Sequence, residues 1–202
     1  MILHDLSAGM HPRRVRIFMA EKGLAIERRE VDAAGGANAT PEFLRLNPLG
    51  TLPVLELDDG SAISESLAIC RYLESLNPDP PLMGRTPRQV AHIEMWTLRI
   101  DNELSRPIAQ AFLHSSSFYR ERIAQVPQIA TWSRDRALKA MAWLDHELAG
   151  RSHIAGEDYS LADIVAQCAC VLGKATGVRI PAEMPHLSRW FAQVTARPTA
   201  RA

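Results

Sequence analysis

The run Asn77-Pro78-Asp79-Pro80-Pro81 does most to limit how this chain can fold. Each proline fixes φ and removes a backbone donor, so neither a helix nor a central strand passes through it. It divides the 202 residues into two pieces of different character. Before it, strand and helix signals alternate. Residues 1–6 form a short apolar segment that reaches the turn-prone stretch Ser7-Ala8-Gly9-Met10-His11-Pro12. A helix is predicted next, with Pro12 in its first turn, where a missing N–H is harmless. Val15, Phe18 and Met19 give i, i+3, i+4 spacing, and Lys22-Gly23 stops the helix. Residues 24–31 read as a second strand, 32–38 as a small-residue loop and 41–46 as a short helix at most. Residues 52–57 are a third strand, Asp58-Asp59-Gly60 a hairpin turn, and 61–63 a fourth strand. A helix from about residue 65 to 76 carries Ile69, Leu73 and Leu76 on one face.

After the proline run, strand signals stop. Residues 87–113 read as a long helix with Ile93, Trp96, Ile100 and Leu104 as its buried stripe and a kink at Pro107. Residues 114–126 form a loop. A second long helix over 127–149 is expected to turn Ile129, Trp132, Met141, Leu144 and Leu148 inward, with Gly150 as its stop. Ser160-Leu161-Ala162-Asp163 is a capping box at the head of a third helix. Leu187, Trp190, Phe191 and Val194 mark a last helix, ended before Pro198. The organisation is therefore an α/β domain over 1–77, a linker over 78–86 and an all-helical domain over 87–202.

Charge excludes one class of partner. The 23 basic and 23 acidic residues cancel, so nothing drives binding to a phosphate backbone and nucleic acid is not expected as a partner. No apolar run is long enough to span a bilayer. The first residues lack a basic export signal and meet Asp5 early. Cys70, Cys168 and Cys170 form no disulfide framework, which points to a reducing, cytoplasmic setting. The Cys168-x-Cys170 pair lies in an Ala-rich apolar run and reads as core packing rather than as a metal site.

Three local features carry chemistry. The first is Asn47-Pro48-Leu49-Gly50-Thr51-Leu52-Pro53, a turn feeding a strand. If the Leu52–Pro53 bond is cis, the Leu52 N–H and C=O turn outward to meet an extended ligand. The second is Ser64-Glu65-Ser66 at the head of a helix. Free N–H groups and the positive dipole end suit a carboxylate, with the Ser66 hydroxyl beside it and the Glu65 carboxylate for an ammonium group. The third is the loop from Ser7 to His11, which offers a hydroxyl, an imidazole and a helix N-terminus. Lowering a thiol pKa from about 8.5 by about two units requires about 2.7 kcal/mol of thiolate stabilisation. One charge-assisted hydrogen bond plus a helix dipole is of that order.

The order of these features resembles the glutathione S-transferase family, and within it the theta-related transferases of bacteria and fungi. The similarity covers almost the whole chain. It rests on residues 13–23 (RRVRIFMAEKG), 47–53 (NPLGTLP), 63–69 (ISESLAI) and Ser160-Leu161-Ala162-Asp163-Ile164. The resemblance implies a thioredoxin-like first domain and an all-helical second domain, assembled as a homodimer. It also implies glutathione as co-substrate, a small electrophile as second substrate, and no metal. It places Leu52 and Pro53 at the cysteinyl part of glutathione, Glu65 and Ser66 at the γ-glutamyl end and Thr51 toward the glycyl carboxylate.

The departure is in the activating loop. Where the family often has Tyr after the first strand, this chain has His4, and Gly9 falls where Ser is common. The candidates for activating the thiol are His11, a water held by loop groups, and Ser7. His4 also reads as a strand histidine with a structural partner, and His114 as a surface or pocket residue. Two alternatives to a conjugating transferase stand beside it: a non-catalytic binding or assembly protein, and a specialised glutathione-dependent isomerase.

Overall fold

The computed structural model describes residues Met1 to Ala202. They divide into two compact units, Met1–Leu82 with Arg201–Ala202, and Met83–Ala200.

The first unit is built on four strands: β1 (Ile2–Asp5), β2 (Glu27–Glu30), β3 (Val54–Glu56) and β4 (Ala62–Ser64), in the order β2-β1-β3-β4. Strand β1 runs parallel to β2, with Ile2 opposite Glu27, and antiparallel to β3, with Leu3 opposite Leu55. Strands β3 and β4 form the hairpin expected at Gly60. Helix α1 (Met10–Glu21) joins β1 to β2, α2 (Pro41–Leu46) precedes β3, and α3 (Ser66–Leu76) follows β4. Leu3, Val15, Phe18, Leu55, Ile69 and Leu73 are fully buried. Successive strand residues point to opposite faces, and Val54 accordingly joins a second cluster with Val31 and Phe43, against which Leu46, Leu52 and Ala62 pack. The buried face of α3 runs through Ser66, Ile69, Cys70 and Leu73. Leu76, expected inside, lies at the edge of that face in the last turn and is exposed.

All four residues of β2 are exposed. The strand is shorter than expected, and charge at every position protects this open sheet edge against foreign strands. At the other end of α1, the buried Lys22 ammonium bridges to Glu74 at 2.5 Å and donates to the carbonyls of Asn77 and Pro80 at 2.7 and 2.5 Å. One cation thus anchors the start of the proline run.

The second unit is helical. Helix α4 (Pro87–Ile100) starts in a Thr86/Gln89 capping box and continues through a π turn, Asp101–Ser105, into α5 (Arg106–Leu113). The expected effect of Pro107 takes this form. Its missing N–H leaves a gap in the hydrogen-bond ladder, and the preceding turn widens. Helix α6 (Pro127–Glu147) differs from its expected facing. Ile129 and Trp132 are exposed, and the buried residues are Ala130, Ser133, Ala137, Ala140, Met141 and Leu144. Small side chains let a neighbouring helix approach closely, and a reading that ranks positions by apolar bulk passes over them.

Helix α7 (Leu161–Ala175) is buried along most of its length. Its capping box is formed as expected: Asp163 accepts from the Ser160 N–H at 3.0 Å and the Ser160 hydroxyl at 3.1 Å. Asp163 also accepts from the Ile154 N–H at 3.0 Å and the Trp190 indole at 2.8 Å, which ties the loop before α7 to α8 (Pro185–Thr195). Cys168 and Cys170 are core residues. Burial pushes the Cys170 thiol up to about 12. No helix is long and apolar enough to cross a membrane.

Candidate functional site

Three segments of the first unit carry the predicted chemistry. The turn between β1 and α1 closes with the Gly9 N–H donating to the Leu6 carbonyl at 2.7 Å. The Gly9 carbonyl accepts from the Arg13 N–H, so Gly9 caps α1 without a side chain. A Cβ at Gly9 would lie 2.8 Å from the Pro12 ring and 3.0 Å from the Leu6 carbonyl. A serine therefore does not fit here unless the turn shifts. The N–H groups of Ala8 and Met10 make no hydrogen bond within the chain, so they are donors at the positive end of a twelve-residue helix.

The two side chains proposed for this loop are placed differently. His11 is exposed on the first turn of α1. Ser7 is engaged elsewhere: its hydroxyl donates to Glu30 at 2.7 Å and its N–H donates to the same carboxylate at 2.8 Å. These two bonds hold the Glu30 carboxyl below its ordinary pKa.

The segment 47–53 is held by two amides. Asn47, buried, donates to both the Thr51 carbonyl and the Thr51 hydroxyl at 2.9 Å. Asn38 donates to the Gly50 carbonyl at 2.7 Å. Gly50 has φ of 61°, and a Cβ there would meet the Asn38 carbonyl at 2.9 Å, so glycine is required twice over. The Leu52–Pro53 bond is cis. The Leu52 N–H and C=O make no hydrogen bond within the chain.

Helix α3 begins at the third segment. Glu65 has φ of 69° and is the sole non-glycine residue with positive φ, a conformation that costs a side-chain-bearing residue of the order of 1–3 kcal/mol. No side chain caps the helix. The N–H groups of Ser66, Leu67 and Ala68 make no hydrogen bond within the chain. The Ser66 hydroxyl is buried and lies 3.5 Å from Arg14 Nη1. Arg14 is itself buried and brings a positive charge to the same helix end. Sequence reasoning missed it because Arg13, Arg14 and Arg16 look alike in a basic run; the buried stripe of α1 was the available signal.

The histidines resolve simply. His4 is a strand residue whose Nε2 lies 2.7 Å from Glu56, with its ring edge-on to Phe43. In the second unit, His114 Nδ1 accepts from the Val126 N–H at 3.2 Å, which puts the proton of the neutral ring on Nε2.

Residues 10–76 match the family model described as Glutathione S-transferase, N-terminal domain, and residues 111–198 match Glutathione S-transferase, C-terminal domain. The chain is 34% identical over its whole length to Glutathione S-transferase 2 of Saccharomyces cerevisiae, covering 88% of that protein.

This chain belongs to the glutathione S-transferase family.

A glutathione S-transferase domain-containing protein of Marinobacter aquaeolei superposes with a TM-score of 0.95 at 34% identity, over 99% of this chain and all of that one. The chain is also similar to part of a larger protein. Elongation factor 1-gamma 2 of Oryza sativa is 32% identical over 98% of this chain, which spans 47% of that factor. The architecture read from the sequence, a thioredoxin-like unit followed by helices, is that of the glutathione S-transferases.

Proposed function

We propose that this chain is a glutathione transferase that joins the thiolate of glutathione to small electrophiles. The observation that carries this reading is the uncapped N-terminus of α3, with its free N–H groups, the buried Ser66 hydroxyl and the strained Glu65 beside them. Together they match an α-amino acid group. Its carboxylate meets the Ser66 N–H and hydroxyl, and its ammonium meets the Glu65 carboxylate. The unused N–H and C=O of Leu52 suit the cysteinyl backbone, with Pro53 fixing the entry of β3 and Thr51 lying toward the glycyl carboxylate. The sulfur then comes to the turn before α1. There the Ala8 and Met10 N–H groups and the helix dipole favour the thiolate, with His11 or a water as a further donor. Ser7 is less suited to this role, because its hydroxyl is already given to Glu30. In the reaction the sulfur lone pair forms the new C–S bond, the thiol proton leaves to solvent, and the electrophile releases its leaving group or opens its ring.

Calorimetry tests the binding site. Ser66→Ala and Glu65→Ala are each expected to weaken glutathione binding by about 1–3 kcal/mol. Glu65→Gly separates binding from folding: it relieves the positive φ and stabilises the fold by about 1 kcal/mol while weakening binding. Unchanged affinity in both alanine variants would remove the proposed site.

The elongation factor relatives and the lack of a hydroxyl at Gly9 favour a second reading, a binding or assembly module that holds glutathione without turning it over. A panel of aryl halides, epoxides, peroxides and isothiocyanates separates the two, since the module converts none of them.

We further propose a cytoplasmic homodimer. Met95 and Leu98 on α4, and Ile129 and Trp132 on α6, are large apolar side chains left exposed on the helical unit, available for cover by a second copy. Light scattering at low micromolar concentration is expected to show twice the 22.4 kDa chain mass, and a monomer peak contradicts the assignment.

A further inference from the structure

The turn between β1 and α1 is gripped by a charge cluster that the chemistry above leaves unused. Asp5, buried at the end of β1, pairs with Arg16 at 2.7 Å and with Arg28 at 2.7 and 3.0 Å, and accepts from the Leu6 N–H at 2.8 Å. Arg16, held by Asp5, donates from Nη2 to the Ser7 carbonyl at 2.8 Å and from Nη1 to the Leu6 carbonyl at 3.4 Å. From β2, Glu30 takes both the N–H and the hydroxyl of Ser7. Every polar group of Leu6 and Ser7 is therefore spoken for.

Peptide planarity carries this grip one residue further. The Ser7 carbonyl and the Ala8 N–H share one rigid plane and point in opposite directions. Arg16 on the carbonyl therefore aims the Ala8 N–H away from the cluster. The Gly9 carbonyl, bonded to the Arg13 N–H, does the same for the Met10 N–H. Glu30 fixes the preceding plane through the Ser7 N–H. The two N–H groups left without a partner are thus aimed by neighbours that all bond on the other side of the turn.

We propose that Glu30 is a positioning residue for thiol activation, locking the Leu6–Gly9 turn so that the Ala8 and Met10 N–H groups are presented to the glutathione sulfur. This rests on the transferase reading above. A purely structural role for Glu30, closing the edge of the sheet, fits the geometry less well. Strand β2 is already paired with β1 along its whole length, and the Asp5–Arg28 pair spans the same two strands. The Glu30 carboxylate instead reaches past the end of β1 to the turn. Glu30 is exposed, so its replacement tests the turn without opening the core. The other charged and titratable groups around the turn are Asp5, Arg16, Arg28, Arg13 and His11, and all stay in place.

The test compares the full-length parent with Glu30→Ala, Glu30→Gln, Ser7→Ala and the Ser7→Ala/Glu30→Ala double variant. Thiolate absorbance gives the pKa of bound glutathione, steady-state kinetics give kcat and KM, and amide exchange reads the Gly9 N–H that closes the turn. Glu30→Ala is expected to raise the bound thiol pKa by about one unit, a tenfold change in thiolate at pH values below it. It is expected to lower kcat by about as much, leave KM for glutathione within about twofold, and speed exchange at Gly9. Glu30→Gln, which keeps one acceptor oxygen, falls between. Ser7→Ala keeps the backbone bond and moves the pKa by less than half as much. The double variant matches Glu30→Ala, because both changes act through one contact. A thiol pKa and kcat unmoved in Glu30→Ala against a depressed parent value overturn the positioning role alone. An effect of Ser7→Ala as large as that of Glu30→Ala also overturns it and returns the hydroxyl as the thiol's donor. A parent complex that already titrates like free glutathione overturns the transferase reading, and the positioning role with it.

Discussion

Asp163→Ala is expected to destabilise the helical unit by about 4 kcal/mol. Asp163 is fully buried and accepts four hydrogen bonds, from the Ile154 and Ser160 N–H groups, the Ser160 hydroxyl and the Trp190 indole. Burial raises its carboxyl pKa, and these donors together with His153 pull against that rise. Removing the carboxylate strands several buried donors at once, each costing about 1–3 kcal/mol when left unmade. Partial relaxation and water entry keep the total below the sum. Asp163→Asn is also expected to be costly, because its NH2 group must face donors on one side or the other. The denaturant midpoint with an unchanged m-value measures the loss. A change below about 1 kcal/mol in the alanine variant would show that the four bonds matter little.

Asp5→Ala is expected to cost about 3–5 kcal/mol, the range found when one partner of a buried ion pair is removed. Arg16 is buried, and the carboxylate it would lose is almost wholly inaccessible at 1% exposure. Arg28 is much more exposed and regains water, so most of the loss comes from Arg16. Removing the orphaned charge should recover a large part of it: Asp5→Ala/Arg16→Met is expected to be more stable than Asp5→Ala alone. Thermal unfolding of the four corners of this cycle gives the coupling. Equal stability of the single and double variants would mean that the Arg16 charge finds water without Asp5.

The features legible in the sequence are those set by local chemistry. The hairpin at Gly60 and the Ser160–Asp163 capping box are each specified within a few residues, and each stands where expected. Asn47 to Pro53 and Glu65-Ser66 were legible as segments; the positive φ of Glu65 was not, because glutamate carries no signal for it. What the sequence concealed depends on residues far apart in the chain. Glu30 meets Ser7 across 23 positions and Arg14 meets Ser66 across 52. In sequence, Glu27-Arg28-Arg29-Glu30 is a run of charges inside a predicted strand and carries no signal that Glu30 has a partner in the turn after β1. Trp132 misled for the opposite reason. Its apolar bulk suggested the core, whereas α6 buries alanine and serine on its packed face and leaves the indole at 60% exposure. The widened turn at Asp101–Ser105 carries only the signal of Pro107, which announces a disturbance of the helix without saying which kind.

The most direct test of the central claim is a pH titration of thiolate absorbance in the complex of the unmodified protein with glutathione. The free thiol has a pKa of about 8.5. The N–H groups of Ala8 and Met10 and the dipole of α1 are expected to bring the bound thiol at least about one unit below that value. Saturable binding with a thiol that titrates at its free value would contradict the claim and leave a protein that holds glutathione without activating it.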